Sequence, residues 1–126
     1  GGTGTGAKIG TKKKKKVKPK MSRGTPKIGD FCDKGNIRRV VSAKSNSIQY
    51  CYERQLQTNP KLKGKIIAQW KIGLKGQVKT ASIASSTMNN SKVESCITRV
   101  IKRMRFEKPD GGICIINYPF VFTGLE

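Results

Sequence analysis

The chain predicts an α+β domain in which two helices cover one face of a three-stranded antiparallel sheet, in the order helix, strand, strand, helix, strand. Three observations carry this reading. Apolar residues recur at helical spacing over 37–56 and again over 93–104, two alternating segments flank a glycine-bearing loop at 73–76, and a last alternating segment runs over 113–122.

The first helix is read from Asn36, with Ile37, Val40, Val41, Ile48, Cys51, Tyr52 and Leu56 on one side and Arg38, Arg39, Lys44, Glu53 and Arg54 elsewhere, ending before Pro60. Next, Ile66, Ala68, Trp70 and Ile72 alternate with Gln69 and Lys71, and Gly73-Leu74-Lys75-Gly76 turns the chain into 77–83, a β-hairpin buried on one side. Ser91 with Glu94 three residues on has the form of a capping box. It opens a second helix whose stripe is Val93, Cys96, Ile97, Val100, Ile101 and Met104. Pro109-Asp110-Gly111-Gly112 turns into the last strand, where Cys114, Ile116, Tyr118, Phe120 and Phe122 share a face. Pro119 has no N–H for a ladder, so this strand is expected at a sheet edge or at a bulge.

Charge divides the chain. Of 27 basic and seven acidic residues, residues 1–29 hold ten basic and no acidic ones, leaving 17 basic and all seven acids to residues 30–126. Residues 1–29, rich in Gly, Thr and Lys with almost nothing to bury, are expected to be a disordered basic linker, and 30–126 the folded domain. Within the linker, Lys12, Lys13, Lys14, Lys15 and Lys16 form a run suited to polyanion contact, whether peptidoglycan, anionic lipid or nucleic acid, or to a solvated spacer. Specific nucleic-acid recognition is not expected, because the aromatics of the last strand fall on the face assigned to the core. The start, without Met, reads as a piece of a larger protein, and no stretch approaches the roughly 18–20 apolar residues of a membrane span.

Catalysis finds little to work with. There is no histidine, the acids are scattered without an implied pair, and neither a Walker nor a Rossmann loop is present, so no enzyme, cofactor or catalytic residue is expected. Cys32, Cys51, Cys96 and Cys114 lack the two-to-four-residue ligand pairs of structural zinc sites, and no metal is expected. Disulfides and buried free thiols both satisfy the pattern. Cys51 and Cys96 lie on the stripes of two helices that would share a sheet face, which makes a bridge between them geometrically reasonable and leaves Cys32 and Cys114 as the second pair.

The segment Tyr50-Cys51-Tyr52-Glu53-Arg54 with Leu56, then Asn59-Pro60, Leu62, Gly64-Lys65, Trp70-Lys71-Ile72, Gly76-Gln77-Val78, Ser85-Ser86-Thr87, Cys96, Arg105-Phe106, Pro109, Gly111-Gly112 and Tyr118-Pro119-Phe120 resembles the AgmX/PglI C-terminal family, of the TonB C-terminal-like fold. The resemblance covers about residues 35–122. It implies a periplasmic domain at the C-terminal end of a larger, inner-membrane-anchored protein, part of a gliding-motility or TonB-type transport machine, and it favours oxidised cysteines. It further implies that the last strand pairs with a peptide from an outer-membrane or periplasmic partner by β-augmentation. Carried onto this chain, that docking strand is Ile113, Cys114, Ile115, Ile116, Asn117 and Tyr118. The other expectation, from a different class, is a basic protein that binds nucleic acid or another polyanion.

Overall fold

A computed structural model describes residues 19–124. Two short strands, β1 (Lys20–Arg23) and β2 (Lys27–Ile28), precede helices α1 (Lys34–Ala43) and α2 (Ser45–Leu56). A hairpin of β3 (Gly64–Ile72) and β4 (Val78–Ser86), helix α3 (Ser91–Lys102) and strand β5 (Cys114–Thr123) complete the chain. The strands make one antiparallel sheet ordered β1-β5-β3-β4, with β2 also paired to β5. The α+β class and the antiparallel sheet are as the sequence predicts, whereas the described residues hold three helices and five strands instead of two and three.

The extra helix comes from a break. Asp33 caps α1 by accepting from the Asn36 amide at 3.0 Å. At Lys44 the backbone leaves helical geometry, with φ −105° and ψ 7°, and its N–H turns back to the Val41 carbonyl. The run Ser42-Ala43-Lys44-Ser45-Asn46-Ser47 supplies side chains that compete for backbone groups, and the Ser45 hydroxyl indeed donates to the Ser42 carbonyl at 2.8 Å. The bend lets Ile37 and Val41 of α1 and Ile48, Cys51, Tyr52 and Leu56 of α2 enter one core. The start of α3 also differs from the expected box. Asn90, not Ser91, is the cap, accepting from the Val93 amide at 3.0 Å, and Glu94 lies in the first turn near the positive helix end.

β3 and β5 pair over nine consecutive positions, from Gly64 opposite Phe122 to Ile72 opposite Cys114. That register puts Ile66, Ala68, Trp70 and Ile72 beside Cys114, Ile116, Tyr118, Phe120 and Phe122, all buried. Trp70 stacks between Tyr118 at 6.0 Å and Phe106 at 6.3 Å, while Tyr118 meets Phe120 at 5.3 Å and Phe122 meets Tyr52 at 4.9 Å. Such pairs add roughly 0.5–1.5 kcal/mol each beyond area burial. The indole Nε1 of Trp70 is buried without a hydrogen-bond partner among the described residues.

The largest departure concerns the N-terminal region. Residues 20–23 and 27–28, expected in the disordered linker, instead lie along the outer edge of β5, so the boundary expected at residue 30 moves upstream. The reason is backbone pairing. β5 otherwise offers a row of free N–H and C=O groups, and this segment meets them while Met21 and Ile28 pack partly against the core. β5 is therefore an inner strand, and Pro119 does not mark an edge. In an antiparallel strand both polar groups of a residue point to the same neighbour. The Pro119 carbonyl accepts from Gly24 at 3.1 Å, so the missing N–H faces the bend between β1 and β2 and costs the β3 ladder nothing.

Gly76 has φ +87°, and a Cβ there would strike the Phe106 carbonyl oxygen, whose own amide donates to the Gly76 carbonyl at 3.0 Å. Gly76→Ala is expected to cost at least about 1–3 kcal/mol in urea unfolding, with α3 and the hairpin separating first in hydrogen exchange. Tyr52 donates from its hydroxyl to the Leu62 carbonyl, and burial pushes its phenol above the usual 10.0. Since the folded phenol ionises later than the unfolded one, its contribution is intact below about pH 10 and is lost as pH rises through the folded pKa. Unfolding temperatures above pH 10 should therefore fall more steeply for the native chain than for Tyr52→Phe.

Candidate functional site

The six residues expected to dock a partner do share one stretch of β5 and its entry. Ile113 and Ile115 are 45% and 42% exposed, Cys114, Ile116 and Tyr118 are buried, and Asn117 lies between. Their outer edge is not open. Lys27 pairs with Asn117, Ile28 with Ile116, and the Gly29 amide donates to the Ile115 carbonyl at 3.0 Å. Farther along, Lys20 to Arg23 pair with Thr123 to Phe120. Residues 19–29 thus form a strap over the edge that the resemblance assigns to a partner.

The strap is thinly attached by side chains. Met21 and Ile28 are its packed apolar groups, while Lys20, Ser22, Arg23, Gly24, Thr25 and Lys27 are exposed. A covalent bond secures its C-terminal end. Cys32 is bridged to Cys114, the first residue of β5, with the α-carbons 5.2 Å apart. The second bridge joins Cys51 of α2 to Cys96 of α3 at 5.6 Å, so both pairs form as the helix stripes suggested, and no described cysteine is free. Beside the first bridge, the ring of Phe31 lies flat on Gly111 and Gly112, where a Cβ on Gly112 would come within 2.8 Å of it. The glycine pair is what admits that ring, and the Phe31 carbonyl accepts from the Asp110 amide at 3.0 Å.

The charge on the sheet is one-signed. The five strands carry Lys20, Arg23, Lys27, Lys65, Lys71 and Lys79 and no acidic residue. By register Lys20, Lys27, Lys65 and Lys71 point to the face away from the helices, where Gln69 donates to the Asn117 side chain at 3.1 Å. Lys12, Lys13, Lys14, Lys15 and Lys16, the expected polyanion run, lie outside the described residues. A cleft between the strap and α1 also gathers Arg23, Arg38 and Arg39, which the sequence did not single out because they meet only through tertiary placement. The far edge of the sheet, β4, is guarded by two register shifts against β3 and by Lys79, and its start is covered where Gln77 bridges Arg105.

Chemically, this arrangement offers a strand edge paired mainly through its backbone and a set of cationic donors with no acid on the strands. Among the described residues no three His, Cys, Asp or Glu side chains gather as metal ligands would, and no helix is long and apolar enough to cross a membrane.

Removing the strap's covalent anchor gives a direct measure of its hold. The Cys32–Cys114 bridge spans 82 residues, worth roughly 4–5 kcal/mol in the chain-entropy account. Cys32→Ser with Cys114→Ser should lower unfolding free energy by about 2–5 kcal/mol and deprotect the Gly29 amide well below the global limit. Cys51→Ser with Cys96→Ser should lower global stability comparably while the Gly29 amide keeps tracking global unfolding. In comparisons with known proteins, no family model, no curated protein and no solved structure matches the chain.

Proposed function

We propose that this domain is a non-catalytic protein-interaction module of the periplasm, in the manner of a TonB C-terminal-like domain, and that it takes an extended partner segment by β-augmentation on β5. The observation that carries the reading is the strap itself. A stretch of this chain with only Met21 and Ile28 packed already adds to the β5 edge, so the edge accepts a strand mainly through backbone bonds. A partner strand exchanges with the strap along Cys114 to Tyr118, and one of its side chains takes the place of Ile28.

The two disulfides fit an oxidising compartment. The partner in this reading is an outer-membrane or periplasmic protein of the same envelope-spanning machine, motility or transport, with the domain at the C-terminal end of an inner-membrane-anchored chain. Residues upstream of the strap serve as the basic linker and touch peptidoglycan or anionic lipid on the way.

A second reading, a polyanion-binding protein, is favoured by the acid-free sheet with its four outward lysines. Its binding would fall steeply with salt in proportion to the phosphates neutralised. If it is correct, a chain lacking residues 1–18, which keeps all four outward lysines, retains measurable polyanion affinity at physiological ionic strength.

Chemical-shift titration with extended peptides from candidate outer-membrane partners separates the two. The β-augmentation reading expects perturbations along Ile113 to Tyr118 together with loss of protection at the Gly24 and Gly29 amides, whose acceptors are Pro119 and Ile115. Deleting the strap should tighten the same peptide's apparent affinity, since the competent edge is then fully populated. Shifts confined to the helices or to Val78–Ser86 would overturn it.

A further inference from the structure

Between the strap and α1 lies a cleft of about 770 Å³ whose lining includes three arginines, Arg23 from the end of β1 and Arg38 and Arg39 from α1. Thr25 and Ser42 add hydroxyls, the buried Tyr118 contributes to the wall, and no carboxylate lines the hollow. Guanidinium groups donate only, so arginines gathered around one hollow offer hydrogen bonds to an anion and none to one another. Their planar forks match the oxygens of a phosphate. A phosphate group also offers more acceptor positions than a single carboxylate, enough for several forks and two hydroxyls together. The volume leaves room for whatever organic group carries it.

We propose that this cleft is an oxyanion site for a phosphate-bearing ligand, and that the bound ligand clasps the strap to α1. Arg23 belongs to the strap, whereas Arg38 and Arg39 belong to the helix, so the full set of donors exists only while the strap is docked. A ligand that binds the docked state and not the open one stabilises docking by mass action. The amide next to Arg23 reports on it directly, because Gly24 donates to Pro119 only when the strap is in place. The site requires that the strap opens and closes, and it stands whether or not a partner strand ever takes the vacated edge. Where one does, the anion opposes the exchange.

Exchange of the Gly24 amide in the full chain, at constant ionic strength, tests this with pyrophosphate as the probe. Exchange should slow about tenfold when pyrophosphate is ten times its dissociation constant. Arg38→Gln with Arg39→Gln should abolish the slowing, as should Arg23→Gln. These side chains are exposed, so the fold tolerates the changes. Arg54→Gln with Arg99→Gln removes charge from α2 and α3 and should leave the slowing intact. A second arm presents phosphatidylcholine vesicles with and without phosphatidic acid and reads exchange over residues 20–28 by mass spectrometry. Protection by pyrophosphate alone assigns the ligand to a soluble phosphoryl compound, and protection by the phosphatidic acid vesicles alone assigns it to a lipid headgroup. The proposal is overturned if neither protects, if the Arg38 and Arg39 variant is protected like the native chain, or if the Arg54 and Arg99 variant loses protection equally.

Discussion

A slip of one residue between β3 and β5 would turn either Trp70 or the trio Tyr118, Phe120 and Phe122 from the core into water. Nearly everything else in the molecule follows from the register that prevents it. The aromatic stack from Phe106 through Trp70 to Tyr118 and Phe120 exists only in that alignment, and it forms the floor on which the helices rest. Tyr52 reaches Phe122 from α2, which fixes the helix against the far end of the same strand. The two disulfides then hold the arrangement from outside the stack, one between helices and one at the entry to β5.

One side of the sheet is buried and the other is not, and the charge follows the same division. Acids occur in the helices and connecting loops, at Asp33, Glu53 and Glu94 among others, while every charged side chain of the strands is basic. The lysines at 65 and 71 alternate with core residues, so their outward direction is imposed by the same period that buries Ile66 and Trp70. Outward basic charge is thus a by-product of the sheet's one-sidedness, and selectivity among anions would require a concave group of donors. The arginine cleft is a place where the surface is concave and its lining is basic and free of acids.

How far the sequence reveals this depends on whether side chains or backbone make the contact. The stripes over 37–56 and 93–104 and the alternation of 66–72 and 114–122 were legible because each position repeats a burial choice. The facing stripes suggested the Cys51–Cys96 pairing for the same reason. The bend at Lys44 was not legible, since the apolar residues stay in phase across it and only the serines on either side hint at a break. The strap was invisible for a deeper reason. It is held mostly by main-chain bonds, which leave no pattern in side-chain chemistry, and its two packed residues, Met21 and Ile28, are seven positions apart among lysine, glycine and proline. The last strand itself was therefore legible, while the occupation of its outer edge was not. Arg23 and Arg38, fifteen residues apart and on different elements, could be associated only by the fold.

The covalent anchor beyond the strap has a mechanical consequence. If the chain is pulled from its N-terminal side, the strap leaves β5 starting beside Thr123 and working toward Ile115, because Lys20 is the first residue to carry the load. Detachment ends at Cys32, where the bond to Cys114 takes the tension. The twelve residues from Lys20 to Phe31 have a fully extended length of roughly 40 Å, which limits how far the strap peels before that happens. The anchorage then transfers to the first residue of β5, and neither α1 nor α2 lies in the direct line of stress. Such a chain yields early and cheaply over a fixed length and afterwards resists through its central strand, which is how a tether absorbs a sudden displacement without unfolding the domain at its end.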